Sequence, residues 1–129
     1  MASYAGIILI VEDSEPCATT LELAFERLDN LQTHYTRTAA EALAILSNCA
    51  FPVRAVVTDL HLPSMDGFEL IELIRRDPAR AKLPILVTSG DSDPRNADRL
   101  RDLGADAYFV KPYSPAAVRR TLEKLLDAA

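Results

Sequence analysis

Apolar residues along this chain follow two rhythms. In the first they stand side by side. Ile7-Ile8-Leu9-Ile10-Val11, Ala55-Val56-Val57 and Pro84-Ile85-Leu86-Val87-Thr88 are short, largely β-branched runs. A strand that is apolar at every position is covered on both faces, as in the interior of a parallel sheet. Gln32 to Thr36 is more polar and suits an edge strand, and Ala107-Tyr108-Phe109-Val110 supplies a further strand. In the second rhythm apolar residues recur at helical spacing: Leu21, Phe25 and Leu28; Leu43 and Leu46; Leu70, Leu73 and Ile74; Leu100 and Leu103; Val118, Leu122 and Leu125.

Punctuation between the runs agrees with this reading. Ser14 is a candidate N-cap with Pro16 in the first turn, Thr38 and Glu41 form a capping-box pattern, and Asp66 has Glu69 three residues on. Asp93-Pro94 reads as N-cap and first helical position, and Ser114-Pro115 starts the last helix. Asp29-Asn30, Asn48, Asp77-Pro78 and Gly104 end helices. Five strands alternate with five helices. The expected fold is α/β, a parallel sheet with helices on both faces and right-handed crossovers. No repeat, low-complexity tract or linker interrupts the pattern, so one domain is expected over residues 1–129.

Composition narrows the function. The chain is 49% hydrophobic and 26% charged, enough apolar surface for a core. Its 19 acids outnumber 14 Lys and Arg, for a net charge of −5. That balance argues against direct nucleic-acid binding, which leaves a basic footprint. Cys17 and Cys49 have no metal or redox spacing and read as free thiols in a reducing compartment. The apolar run at Ile7 stops at Glu12, too short for a signal peptide or a membrane span. A cytoplasmic protein with no membrane partner is expected.

The candidate chemistry lies at the strand ends. In a parallel sheet all C-terminal ends share one edge, and open α/β sheets bind ligands there. Strands here end in Glu12-Asp13, in Asp59, in Thr88-Ser89 and in Lys111. Three carboxylates, a hydroxyl and one ammonium are therefore expected in one crevice. A partly buried acidic cluster needs cations to stay ionised. Three negative charges against one positive are balanced by a divalent ion, and hard oxygen donors favour Mg²⁺. Mg²⁺ takes one or two carboxylates and fills its shell with water and substrate phosphate, so the site is expected to receive a phosphoryl group. Gly6, Gly67, Gly90 and Gly104 are the only glycines, so neither a Walker A loop nor G-x-G-x-x-G is present. There is no Ser-His-Asp pattern, and His34 reads as a surface residue of the edge strand. Asp59 is the best-placed nucleophile, a carboxylate that accepts a phosphoryl group as an acyl phosphate.

At this point the sequence resembles the receiver domain of two-component response regulators along its whole length. The resemblance rests on Ile8-Leu9-Ile10-Val11-Glu12-Asp13, Thr58-Asp59-Leu60-His61-Leu62-Pro63 with Met65-Asp66-Gly67, Pro84-Ile85-Leu86-Val87-Thr88-Ser89, and Gly104-Ala105-Asp106-Ala107-Tyr108-Phe109-Val110-Lys111-Pro112. It implies a flavodoxin-like sheet of order 2-1-3-4-5. It implies Asp59 as phosphoacceptor and Mg²⁺ held by Asp13, Asp59 and the backbone carbonyl of His61, with Glu12 acting mostly through metal-bound water. Lys111 would pair with phosphoryl oxygens across from the metal, and its bond to Pro112 is often cis in this family. Thr88 would hydrogen-bond the phosphoryl group, and Tyr108 matches the aromatic switch of the last strand. Glu12 departs from the commoner Asp. His61 and Gly90 occupy positions that tune dephosphorylation in the family.

The resemblance further implies a phosphoprotein of a phosphorelay that catalyses only its own phosphorylation and dephosphorylation. Its phosphodonor would be a sensor histidine kinase or a histidine phosphotransfer domain. Signal would leave through the face of the fourth helix, fifth strand and fifth helix, including Arg95, Arg99 and Tyr108, toward a downstream protein or a second copy. Two rivals differ in class. A haloacid-dehalogenase-like phosphatase also uses a strand-end Asp, but it needs a second acid where His61 stands. A pseudo-receiver would be a protein-interaction module not regulated by phosphorylation.

Overall fold

The computed structural model of the protein describes residues 6–48, 50 and 52–128; Cys49 lies outside the described residues. Five strands, β1 (Gly6–Val11), β2 (Leu31–Thr36), β3 (Val53–Asp59), β4 (Ile85–Ser89) and β5 (Ala107–Val110), form one sheet in the order β2-β1-β3-β4-β5. Every pairing is parallel. Helices α1 (Glu15–Phe25), α2 (Ala39–Ser47), α3 (Gly67–Arg76), α4 (Arg95–Leu103) and α5 (Pro115–Ala128) alternate with the strands, and a short 3-10 helix (Pro78–Arg80) follows α3. This is the α/β fold expected from the alternating pattern, in the flavodoxin-like strand order that the family resemblance implies.

Strand alternation divides the core into two layers. Leu9, Val11, Val56, Ile85 and Val87 face α2, α3 and α4 through Ala39, Ala42, Leu46, Phe68, Leu70, Ile71, Ile74 and Leu100. Ile8, Ile10, Ala55, Val57 and Leu86 face α1 and α5 through Ala18, Leu21, Phe25, Val118 and Leu122. Residues from β1, β3 and β4 therefore serve both layers, which is why those runs are apolar without interruption. β2 is an edge strand and is mostly half-buried, as its polar composition requires.

Helix starts follow the side-chain caps. Ser14 Oγ accepts the Cys17 amide at 3.4 Å, Thr38 and Glu41 close a reciprocal capping box, and Asp66 Oδ1 accepts the Glu69 amide at 2.9 Å. Three expectations, on α1, α3 and α4, need correction. α1 stops at Phe25 and not at Asp29-Asn30: Leu28 sits in the following turn, and Asn30 adopts φ 65, outside any helix. In α2 Leu46 is buried and Leu43, half-buried, packs on the same layer as expected, while Ala39 and Ala42 complete the buried line. In α3 Ile71 is fully buried and Leu73 half-buried, because Phe68, Leu70, Ile71 and Ile74 define the inward stripe. α4 begins at Arg95, with Pro94 before it. Asp93 acts one step earlier than a cap, its Oδ1 accepting the Arg95 amide at 3.0 Å and its carbonyl the Asn96 amide at 3.0 Å.

Gly104 ends α4 in the left-handed region at φ 99, a conformation that favours glycine. A side chain there would also meet Arg75, whose Nε lies 3.0 Å from the position of an added Cβ. Arg75 ties this end of the sheet together. Its Nε and Nη2 donate to the Gly104 carbonyl at 3.1 and 2.8 Å, Nη1 donates to the Arg80 carbonyl at 2.8 Å, and Nη2 meets Asp106 Oδ2 at 3.2 Å. No described helix is long and apolar enough to cross a membrane.

Candidate phosphoryl-acceptor site

The parallel ladder continues one residue past the strands, and this builds the site. Val11 pairs with Thr58, and Asp59 pairs with Thr88. Beyond the strand ends the Glu12 amide donates to Thr36 O at 3.0 Å, the Leu60 amide to Thr88 O at 2.9 Å, and the Lys111 amide to Ser89 O at 2.7 Å. Glu12, Asp59, Thr88 and Lys111 therefore stand along one rim of the sheet. The Lys111–Pro112 peptide is cis.

Lys111 links the row. Its Nζ lies 3.1 Å from Asp59 Oδ2 and 3.2 Å from Glu12 Oε1. The Glu12 side chain is only 2% exposed, Asp59 10% and Lys111 24%. The other oxygens are also held: the His61 amide donates to Asp59 Oδ1 at 3.2 Å, and the Ser14 amide donates to Glu12 Oε2 at 3.0 Å. Burial pushes the Glu12 carboxyl above its ordinary range. The Ser14 amide pulls it back, and the Asp59 carboxylate beside it pushes it up again. Burial also pulls the Lys111 ammonium down, but the charges and hydrogen bonds of Asp59 and Glu12 outweigh this and hold it above its usual value.

Thr88 is fully buried at the end of β4, next to Asp59. Asp13 stands apart. It follows Glu12 directly, so its side chain leaves the strand in the opposite sense. Its carboxylate is exposed and lies 4.0 Å from Arg37 Nη2. Glu12, Asp59 and Lys111 thus converge as expected, while Asp13 does not join them. Among the described residues no three His, Cys, Asp or Glu side chains are grouped to hold a metal ion. The donor chemistry nevertheless suits a hard cation. Two buried carboxylates share one ammonium on a rim of oxygen donors, and the exposed Asp13 carboxylate stands next to Glu12 in the chain.

Two neighbours were not anticipated. Asp91, in the loop after β4, has Oδ2 3.6 Å from His61 Nε2, and its carbonyl accepts the Tyr108 hydroxyl at 2.7 Å. Arg37 follows β2, and the parallel register that sets Val11 beside Thr36 brings it beside Glu12. On α4, Arg95 is paired with Asp93 at 2.8 Å and Arg99 lies over the Phe68 ring, 3.7 Å from its centroid. Cys17 is free and half-buried.

Comparison with known proteins finds one family along most of the chain. The family model of the response regulator receiver domain matches residues 8–123. The chemotaxis protein CheV1 of Helicobacter pylori is 27% identical over 95% of this chain and 38% of its own length. A gliding motility regulatory protein of Myxococcus xanthus is 32% identical over 81% of this chain and 13% of its own. The chain therefore spans well under half the length of these two relatives. The signal receiver domain of a signal transduction histidine kinase from Syntrophus aciditrophicus superposes with a TM-score of 0.85 at 31% identity, covering 97% of this chain and 92% of that one.

Proposed function

The chain belongs to the response regulator receiver family, and we propose that it accepts a phosphoryl group on Asp59 in a Mg²⁺-dependent transfer from a phosphohistidine. The observation that carries this reading is the bridge from Lys111 Nζ to Asp59 Oδ2 and Glu12 Oε1. An ammonium held against a buried nucleophilic carboxylate is already where phosphoryl charge would develop. The donor is a sensor histidine kinase or a histidine phosphotransfer domain, and the setting is inside the cell.

Phosphoryl transfer depends on in-line positioning and charge neutralisation more than on covalent help. The His61 amide and Lys111 fix the two oxygens of Asp59. One of those oxygens forms the new bond to phosphorus as the bond from phosphorus to the donor nitrogen breaks, and Lys111 then partners the phosphoryl oxygens. Glu12, Asp13, Asp59 and the carbonyl of His61 would hold Mg²⁺. When bound, Mg²⁺ supplies neutralisation of the excess negative charge and orientation of the phosphoryl oxygens. Phosphorylation of the carboxylate adds charge and acceptor oxygens at the strand end. The Thr88 hydroxyl turns toward them. The loop after Thr88 carries the Asp91 carbonyl that holds Tyr108, so a shift there reaches β5 and the face formed by α4, β5 and α5. That face would meet a downstream protein or a second copy.

A second reading, a protein-interaction module indifferent to phosphorylation, draws on the outward position of Asp13. One experiment separates the two. The protein is incubated with acetyl phosphate and Mg²⁺, and intact mass is measured. Gain of one phosphoryl group, abolished by chelation and by Asp59→Asn, is expected. No adduct, or one that survives Asp59→Asn, would refute the acceptor role.

A further inference from the structure

Arg37 stands immediately after β2, beside the acidic end of β1, where the register sets Thr36 against Val11. Its guanidinium meets two oxygens of Asp13, in the turn after β1, and one of Glu15, the first residue of α1. Nη2 donates to the Asp13 carbonyl at 3.3 Å and lies 4.0 Å from Asp13 Oδ1, and Nη1 lies 3.9 Å from Glu15 Oε2. The Arg37 side chain is 55% exposed and Asp13 58%. The guanidinium is therefore an external partner for an Asp13 carboxylate that already points away from the rim where Glu12 and Asp59 meet.

We infer that Arg37 is a positioning residue that competes with the metal for Asp13 and so sets the divalent-cation affinity of the site. This rests on the Mg²⁺-dependent reading above. The competition is mild, because an exposed pair is weak and both groups can turn. Glu15 moderates it. With Glu15 present the guanidinium divides itself between two carboxylates, and without Glu15 it engages Asp13 alone. Cation entry frees Asp13 from Arg37, which keeps Glu15 and the Asp13 carbonyl as partners. Arg37 thus has somewhere to go when Asp13 turns inward, and the turn itself stays anchored through the backbone.

The test is calorimetric titration of the whole chain with Mg²⁺, with no phosphodonor present. Four proteins are compared: wild type, Arg37→Ala, Glu15→Gln, and the double variant. None of these changes removes a proposed metal ligand, so binding stays measurable throughout. Arg37→Ala is expected to tighten Mg²⁺ binding roughly two- to fivefold, the span of an exposed ion pair. Glu15→Gln is expected to weaken it in the presence of Arg37 and to have a clearly smaller effect in its absence. That non-additivity is the signature of competition, because two charges acting through space change the binding free energy additively. Additive effects, or an Arg37→Ala affinity no tighter than wild type, would overturn the inference and leave the acceptor reading standing. A wild-type chain that takes up no Mg²⁺ would overturn both.

Discussion

Replacing Glu12 by Gln should stabilise the metal-free protein near neutral pH. The Glu12 and Asp59 oxygens on Lys111 both lie within 3.2 Å of one nitrogen. They are at most about 6 Å apart, and at an effective dielectric of about 20 two unit charges at that separation repel by about 3 kcal/mol. Burying the Glu12 carboxylate costs several kcal/mol more, even after relaxation. Against this stands its attraction to Lys111, about 5 kcal/mol at the same dielectric. The balance disfavours the ionised form, in agreement with a carboxyl pushed above its ordinary value mainly by burial. A Gln side chain keeps an oxygen for the Ser14 amide and can turn its NH₂ toward Asp59, while Lys111 retains Asp59. We expect a gain of about 1–2 kcal/mol, or about 3–8 °C in Tm for a chain of this size.

The pH dependence fixes the sign. A carboxyl whose folded pKa is raised binds more protons folded than unfolded, so wild-type stability falls as pH rises from the ordinary value of 4.5 through the folded pKa. The advantage of Glu12→Gln should open over that window and vanish below it. Thermal denaturation followed by circular dichroism across pH, with chelator present, measures this directly. Added Mg²⁺ should raise the wild-type Tm more than that of the variant. A variant that melts below wild type near neutral pH, or a gap that persists on acidification, would refute the reasoning.

Two further changes test how the scaffold holds the site. Gly67→Ala puts a methyl 2.7 Å from the Asp59 carbonyl oxygen and 2.8 Å from Leu60 Cα, both backbone, so something must shift. A loss of about 1–3 kcal/mol is expected by denaturant unfolding, with slower phosphorylation because the displaced backbone carries Asp59. Arg75→Ala removes donors from the Gly104 and Arg80 carbonyls and from Asp106, and should cost about 2–3 kcal/mol by the same measurement. Lys at position 75 should not restore it, because an ammonium lacks the planar fork.

Much of this architecture was legible because β1, β3 and β4 carry apolar side chains on both faces, which only a doubly covered sheet explains. The capping residues Thr38 and Asp66 were equally plain, since their hydrogen bonds are local. Errors arose where a local pattern mimicked helix. Leu28 is three residues from Phe25, a helical interval, yet a turn delivers it to the same core layer. Ile71 was missed because the inward stripe of α3 is wider than a line of Leu70, Leu73 and Ile74. At the site, strand order alone brings Glu12, Asp59, Thr88 and Lys111 to one rim. It does not say which way adjacent residues point. Glu12 and Asp13 are neighbours in sequence and diverge in space, and Arg37 is visible only once the register of β2 against β1 is drawn.

The parity of the strands has a practical consequence. Glu12 and Asp59 face inward only because the count of residues along their strands is what it is. A single insertion within β1 or β3 would exchange the two core layers and rotate the acid off the rim. The opposite margin of the sheet, at the turn through Asp29 and Asn30, carries no such phase requirement. A peptide grafted there would lengthen a connection and leave the rim of Glu12, Asp59 and Lys111 untouched. The molecule can therefore be redecorated from one end while its chemistry is conserved at the other.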